Sequence, residues 1–176
     1  CGGGILSETL AEEGANLLAI DQSKKLINEA KKRAKSKKLK IDYQCQSIKS
    51  LKGKKAKFDI ILCMEVIEHV KDYRSFIKLA FECLKEDGII IFSTINKSFL
   101  SYFTTIFLAE KVLNLVPSKT HDWDMYVKPE EILEVAKKFS FSLDKIKGLV
   151  AIPSLQGFKW IRIDSTKANY IISIIN

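Results

Sequence analysis

The chain has 176 residues, of which 47% are hydrophobic and 28% are charged, a balance typical of a globular protein rather than a disordered one. No linker-like stretch or internal repeat divides it, so we expect one soluble domain over residues 1–176. Lysine and arginine outnumber the acidic residues by 29 to 21, and much of this excess lies between Lys24 and Lys57.

Clustered lysines attract phosphate groups, which would suit a nucleic-acid partner. No aromatic residue is interleaved with the lysines of residues 24–40, however, and the lysines flank apolar residues at helical spacing. This pattern predicts the solvated face of an amphipathic helix and no nucleic-acid partner, while attraction to anionic lipid stays open. The apolar residues are Leu26, Ile27, Ala30 and Ala34.

The four cysteines form no Cys-x-x-Cys pair, so neither a disulfide framework nor a zinc site is predicted. We expect a reducing compartment. No signal peptide is visible, and the chain begins inside a glycine turn without an initiator methionine. We interpret this start as that of an N-terminally incomplete domain.

The glycine turn of residues 2–4 leads into apolar residues at helical spacing and then to Gly14, which is typical of a helix C-terminal cap. The apolar run of residues 17–20, ending in Asp21, predicts a strand buried on both faces. Ser23 is predicted to cap the lysine-rich helix that follows.

Apolar runs and helical stripes alternate along the rest of the chain. Strands are predicted at residues 41–46, 58–64, 89–94, 143–152, 160–163 and 170–175. Helices are predicted at residues 76–84, 99–116 and 129–139. Strands that alternate with helices predict an α/β fold with a doubly wound, mostly parallel sheet, which binds ligands at the C-terminal ends of its strands.

A nucleotide-binding arrangement is predicted at the start of the chain. Gly2 and Gly3 allow a ligand close to the backbone, and the helix after them offers free N–H groups. Asp21 follows Gly2 by 19 residues at a strand end, where a carboxylate can bind both ribose hydroxyls of an adenosine. A dinucleotide and S-adenosylmethionine fit this pattern equally. Met64 could line the same site, although its residue type alone favours a core position.

An acidic cluster, Glu65, Glu68 and His69, directly follows the strand of residues 58–64. Positions i, i+3 and i+4 share one face of a helical turn. Such a face could chelate Mg²⁺ or Ca²⁺, or Zn²⁺ or Mn²⁺ through the histidine, and lower the pKa of a bound phenol. Alternatively, His69 alone is a general base. The residues by themselves favour a third interpretation, a solvated acidic turn.

The polar loop of residues 117–128 contains His121, a second candidate base. A structural loop, in which Asp122 fixes a turn and Trp123 packs, is the alternative that the residues slightly favour.

Several segments together are similar to the ubiquinone-biosynthesis O-methyltransferases. The similarity extends from Cys1 to the C-terminus. The loop of residues 120–123 (Thr-His-Asp-Trp) and the segment of residues 92–96 (Phe-Ser-Thr-Ile-Asn) are more specific than the glycine turn, which all class I methyltransferases share. The segments are Cys1–Glu8, Cys63–Val70, Phe92–Asn96, Val116–Trp123, Lys128–Glu130 and Ala168–Tyr170.

The resemblance implies a Rossmann-like, class I methyltransferase fold and methylation of a phenolic hydroxyl on a polyprenylated phenol, a catechol or demethylubiquinol. Asp21 would bind the ribose of S-adenosylmethionine, and Met64 would line its adenosine. Glu65, Glu68 and His69 would be Mg²⁺ ligands.

Family members have a strand ending in Asp-x-Gly just before the position of Cys1, and this first, central strand is lacking here. Unpaired buried backbone groups cost about 1–3 kcal/mol each, against a domain stability of about 5–15 kcal/mol. We therefore expect the chain to fold poorly and to bind its cofactor weakly.

The apolar segment Phe99–Val116 has 18 residues, near the lower limit for a membrane span, but it carries scattered polar residues. We expect a helical lid within residues 97–128. Peripheral contact with the inner face of a membrane is equally plausible, since the implied substrate has a polyprenyl tail.

Two other functions fit parts of the sequence. A nicotinamide-dependent reductase would use a similar sheet, but we find no Tyr/Lys or Cys/His catalytic arrangement. An inactive, split-gene remnant acting only as a binding subunit would suit the incomplete glycine loop.

Overall fold

The computed structural model describes residues 1–53, 57–98, 101, 123–154 and 157–176. These residues form two compact units, Cys1–Lys54 and Lys55–Asn176. Most of the expected lid, residues 97–128, lies outside the described residues, as does all of the apolar segment Phe99–Val116 except Ser101. The single-domain organisation therefore stays a prediction.

The first unit alternates helices and strands, as predicted. It contains α1 (Ile5–Glu12), β1 (Leu18–Asp21), α2 (Lys24–Ser36) and β2 (Asp42–Cys45), followed by a 3-10 turn (Ile48–Leu51). β1 and β2 pair in parallel, with Ala19 opposite Tyr43. The predicted cap is also confirmed, because the N–H of Leu26 donates a hydrogen bond to the Ser23 hydroxyl over 3.3 Å.

The lysine-rich helix α2 has the predicted amphipathic form. Ile27, Ala30 and Ala34 are buried and pack with Ala19 and Tyr43, while the lysines of α2 are exposed to solvent. Burial of this apolar stripe stabilises the unit, since buried apolar area contributes about 25 cal/mol per Å².

An ionic contact joins α1 to α2. The Glu8 side chain is only 1% exposed. Arg33 donates two hydrogen bonds to it, over 2.6 and 3.1 Å, and the Lys37 ammonium lies 2.9 Å from its second oxygen. Hydrogen bonds from Arg33 and then Lys37 lower the pKa of Glu8 from 4.5 to about 2.

We expect this contact to make the stability of the chain depend on pH. Because the folded-state pKa of Glu8 lies below 4.5, its contribution is complete above that pH and is lost as the pH falls towards about 2. Urea unfolding of wild type and Glu8→Gln should therefore differ at pH 7 and converge in acid. Glu12→Gln, whose side chain is 48% exposed, is the matched control, and a Glu8→Gln difference independent of pH would contradict the assignment.

The second unit is built on one five-stranded sheet in the order β3-β4-β7-β5-β6. Along the chain, helix α3 lies between β3 and β4, and helix α4 lies between β4 and β5. The elements are β3 (Phe58–Met64), α3 (Tyr73–Glu82), β4 (Leu84–Ile95), α4 (Pro129–Lys137), β5 (Ser142–Ser154), β6 (Gly157–Ile163) and β7 (Asn169–Ile175).

The expectation of a mostly parallel sheet needs a correction. β3 pairs with β4 in parallel, as β1 does with β2, but the pairs β4–β7, β7–β5 and β5–β6 are antiparallel. For the pair β5–β6 the reason lies in the connection: only two residues separate the strands, and such a short connection joins antiparallel strands, whereas parallel strands need a long crossover.

The core of the second unit lies against β4 and β7. Ile90, Phe92, Ile172 and Ile174 are fully buried there. From α3, the ring of Phe81 packs with its centroid 5.1 Å from that of Phe141 and 5.6 Å from that of Phe139.

Within the described ranges, no helix combines the length and the apolar character that crossing a membrane would need.

Candidate functional site

The glycine turn at the start of the first unit has one closed side and one open side. Gly4 has φ +83° and precedes α1. A Cβ on Gly4 would lie 2.9 Å from the Cβ of Ala30 and would also meet the Tyr43 hydroxyl. A Cβ on Gly2 or Gly3 would meet no atom within 4 Å. The chain therefore needs glycine where the turn packs on its own unit, and the backbone of Gly2 and Gly3 borders open space.

Asp21, at the end of β1, contacts this turn directly. Its carboxylate accepts hydrogen bonds from the N–H of Gly2 and the N–H of Ser23, both over 2.8 Å. Burial raises the pKa of Asp21, but these two hydrogen bonds, together with a hydrogen bond from the Cys1 ammonium 3.2 Å away and its positive charge, hold the pKa below its usual value. The side chain is thus a fixed, ionised acceptor.

The Gly2–Asp21 arrangement fits a nucleoside. An ionised carboxylate can accept hydrogen bonds from the two hydroxyls of a ribose. The half-buried glycine backbone beside it, which borders open space at Gly2 and Gly3, allows a ligand to approach closely. The structure thus brings together the residues that the sequence singled out at this end of the chain.

The second set of candidate residues lies at the carboxyl ends of β3 and β4. Met64 is half-buried and stands opposite Ser93 in the strand register. After Met64 the chain turns sharply, because Glu65 has φ +51°. The N–H of Glu65 donates to the carbonyl oxygen of Ser93 over 3.0 Å and to its hydroxyl over 3.1 Å. These bonds direct the turn back onto β4.

Both carboxylates of this turn accept a hydroxyl hydrogen bond from β4. Ser93 Oγ donates to Glu65 Oε1 over 2.6 Å, and Thr94 Oγ1 donates to Glu68 Oε2 over 2.8 Å. Glu65 is exposed, whereas Glu68 is only 5% exposed. Burial raises the pKa of Glu68, and the charge of Glu65 and a hydrogen bond to it act in the same direction. Glu68 therefore holds its proton more tightly than an ordinary glutamate.

The expected helical face of Glu65, Glu68 and His69 is not formed. Only Ile67–His69 makes a 3-10 turn, and Glu65 precedes it in the left-handed conformation. The physical reason is the bonding of the Glu65 N–H to Ser93, which draws that residue out of the turn. His69 is exposed at the end of the turn.

This arrangement does not fit a bound cation. Among the residues that the structure describes, no three His, Cys, Asp or Glu side chains lie where they could hold one metal ion together. The two carboxylates are instead bonded to hydroxyls, and the imidazole is not grouped with them. The Mg²⁺ site implied by the resemblance is thus not supported by the donor geometry.

Ser93 and Thr94 are site residues that sequence reasoning overlooked. They are 1% and 0% exposed in the otherwise apolar second half of β4, residues 89–95. Two successive hydroxyl residues at the carboxyl end of a buried strand are a signal that could have revealed them, because buried hydroxyls need hydrogen-bond partners.

The loop containing the second candidate base is described only in part. His121 and Asp122 lie outside the described residues. Trp123 begins a 3-10 turn, Trp123–Met125, and its ring centroid lies 5.7 Å from that of Tyr126. The packing expected of Trp123 is thus observed.

Comparison with known proteins points to one group. Residues 1–92 match the family described as "Methyltransferase domain". The chain is 45% identical over 175 residues to a ubiquinone biosynthesis O-methyltransferase of Pelagibacter ubique, covering 99% of this chain and 72% of that protein. It is 41% identical over 171 residues to one from Coxiella burnetii, covering 97% of this chain and 72% of that protein.

A solved structure extends the likeness to the fold. Magnesium protoporphyrin IX methyltransferase from Synechocystis PCC 6803, crystallised with bound SAH, superposes with a TM-score of 0.69. The two chains share 19% sequence identity, and the match covers 100% of this chain and 70% of that one. At this identity the likeness shows a common fold.

Proposed function

This chain belongs to the ubiquinone biosynthesis O-methyltransferase family and has the class I, Rossmann-like methyltransferase fold, and from this premise we propose that it methylates a phenolic hydroxyl of a polyprenylated ubiquinone precursor. The methyl donor is S-adenosylmethionine. The observation that carries the proposal is the 45% identity to a relative of that name across 99% of the chain. The relatives' names do not favour a reductase or a binding subunit.

Four residues are proposed as cofactor-binding. The ionised Asp21 carboxylate would accept hydrogen bonds from the ribose hydroxyls, and the open backbone at Gly2 and Gly3 would border the ligand. Met64, half-buried at the end of β3, would line the adenosine. S-adenosylmethionine supplies an electrophilic methyl group on a sulfonium ion.

The chemical step is a direct displacement. The phenol oxygen forms a bond to the methyl carbon, and the carbon–sulfur bond breaks with its electron pair going to sulfur. The products are a methyl ether and S-adenosylhomocysteine, and the phenol proton passes to a base. We propose His69, which is exposed beside the carboxyl end of β3, as that base, with His121 as the second candidate. No step is assigned to Mg²⁺, because the acidic turn does not fit it.

Peripheral membrane contact through residues 99–116 is part of the proposal, since a polyprenyl tail partitions into lipid. The compartment, bacterial cytoplasm or mitochondrial matrix, stays a prediction.

The test is a methyl-transfer assay with a polyprenyl catechol, read by mass spectrometry. We expect a mono-methylated product with wild type and none when both hydroxyls of the acceptor are already methylated. His69→Asn should lower kcat by about 10²–10⁴ while S-adenosylhomocysteine affinity is kept. Binding of S-adenosylhomocysteine without any methylated product would contradict the acceptor class, and absence of binding would contradict the cofactor assignment.

A further inference from the structure

The acidic turn, defined as residues 65–69, is fastened to β4 by the hydroxyl pair Ser93 and Thr94. Each hydroxyl donates to a different carboxylate, over 2.6 Å to Glu65 and over 2.8 Å to Glu68. Because the donors are adjacent in one strand, the positions of the two acids are fixed relative to each other.

Both donor hydroxyls and the acceptor Glu68 are buried, whereas the acceptor Glu65 is exposed. Ser93, Thr94 and Glu68 are at most 5% exposed, so water does not compete for the hydroxyls. A buried hydroxyl that loses its acceptor is left unsatisfied, which destabilises the folded chain.

The backbone of the turn depends on the same contact. The left-handed φ of Glu65 is unfavourable for a residue other than glycine, because its Cβ approaches the following carbonyl oxygen. Two hydrogen bonds from the Glu65 N–H to Ser93 offset this cost. The conformation that leads into His69 is therefore maintained by β4.

We infer that Ser93 and Thr94 are positioning residues for methyl transfer, and that their hydroxyls, rather than a divalent cation, hold the acidic turn in place. This inference rests on the proposed function for its kinetic part only. It assigns to two residues of β4 the task that a metal ligated by Glu65, Glu68 and His69 would otherwise perform.

Kinetics of Thr94→Val test the positioning role, because valine keeps the shape of threonine and removes its hydroxyl. We expect kcat to fall about tenfold to a hundredfold, since small displacements at a reacting centre have effects of this size. The KM for S-adenosylmethionine should change by less than about twofold, because the proposed Asp21 and glycine contacts lie in the first unit and Met64 pairs with Ser93 rather than with Thr94. Thr94→Ser, which restores the hydroxyl, should recover kcat.

Ser173→Ala is the matched control. Ser173 Oγ donates to Asp144 Oδ2 over 2.8 Å, a bond of the same kind on β7 of the same sheet. The kcat of Ser173→Ala should equal that of wild type. If Thr94→Val kept wild-type kcat, or if Thr94→Ser failed to restore it, the positioning role would be overturned.

Thermal melting tests the cation, independently of turnover. Wild type should melt at the same temperature in EDTA and in millimolar Mg²⁺. A cation bound only by the folded chain would raise Tm. Mg²⁺-dependent stabilisation that disappears in Glu65→Gln would overturn the inference.

The kinetic experiment and the melting experiment together distinguish a failure of this inference from a failure of the proposed function. If wild type forms no methylated product, the proposed function fails, and the melting experiment still decides whether hydroxyls or a cation hold the turn. If wild type is active and Thr94→Val is not impaired, only the positioning role fails.

Discussion

Gly148→Ala is expected to destabilise the second unit by about 3 kcal/mol or more, since overpacking a filled core usually costs about 1–3 kcal/mol and more when backbone must move. Gly148 is buried in β5, opposite Ile163 of β6 and Tyr170 of β7. A Cβ at this position would collide with the backbone carbonyl of Ser165, in the connection from β6 to β7. The connection cannot move away without disturbing both neighbouring strands.

Urea unfolding followed by tryptophan fluorescence measures this effect. Both tryptophans, Trp123 and Trp160, belong to the second unit. Gly3→Ala is the control, because its added Cβ meets no atom and its φ lies outside the left-handed region. A Gly148→Ala midpoint equal to that of wild type would show that the connection packs differently.

Asp21→Asn is expected to weaken S-adenosylhomocysteine binding about 100-fold. A hydrogen bond to a charged group contributes about 1.5–3 kcal/mol, and the asparagine loses the charge and one acceptor oxygen. Two weakened ribose contacts would cost about 3 kcal/mol, and each 1.4 kcal/mol is about tenfold in affinity. Calorimetric titration gives the dissociation constant directly.

Asp42→Asn is the matched control for that titration. Asp42 is exposed at the first position of β2 in the same unit. The affinity of Asp42→Asn for S-adenosylhomocysteine should therefore equal that of wild type. Circular dichroism must show that Asp21→Asn is folded, because the Asp21 carboxylate also accepts hydrogen bonds from the N–H groups of Gly2 and Ser23. A folded Asp21→Asn protein with wild-type affinity would remove Asp21 from the cofactor site.

The sequence predicted the elements well where their signals are local. The strand of residues 58–64 has the observed bounds of β3, Phe58–Met64. The helix beginning at Pro129 and the Ser23 cap are also observed. Apolar runs, prolines at a helix start and capping hydroxyls each act within a few residues, so a single sequence contains them.

The pairing of the later strands could not be predicted in the same way. β7 lies between β4 and β5 although it comes last of the described strands. Pairing depends on contacts between distant segments, and the alternation of apolar residues is similar in parallel and antiparallel strands. The sequence therefore indicated strands at residues 143–152 and 170–175 without their direction.

Of the two sets of candidate residues, the contact between Gly2 and Asp21 was predicted correctly, whereas the helical face expected within residues 65–69 was not. Gly2 and Asp21 are in direct contact, as spacing and strand position suggested. The helical face of Glu65, Glu68 and His69 failed because a backbone bond to Ser93 competes with helix formation at Glu65. That competitor lies on another strand, so no spacing rule within residues 65–69 could reveal it.

The position of β7 also has a consequence for synthesis of the chain. As the polypeptide leaves the ribosome, β3 and β4 can pair early, but the other edge of β4 has no partner until residues 169–175 emerge. During that interval an apolar edge of β4, including Ile90 and Phe92, is open to association with other chains. We expect chaperone capture of nascent chains to be strongest in this interval, because the inner strand of the sheet is translated after its outer neighbours.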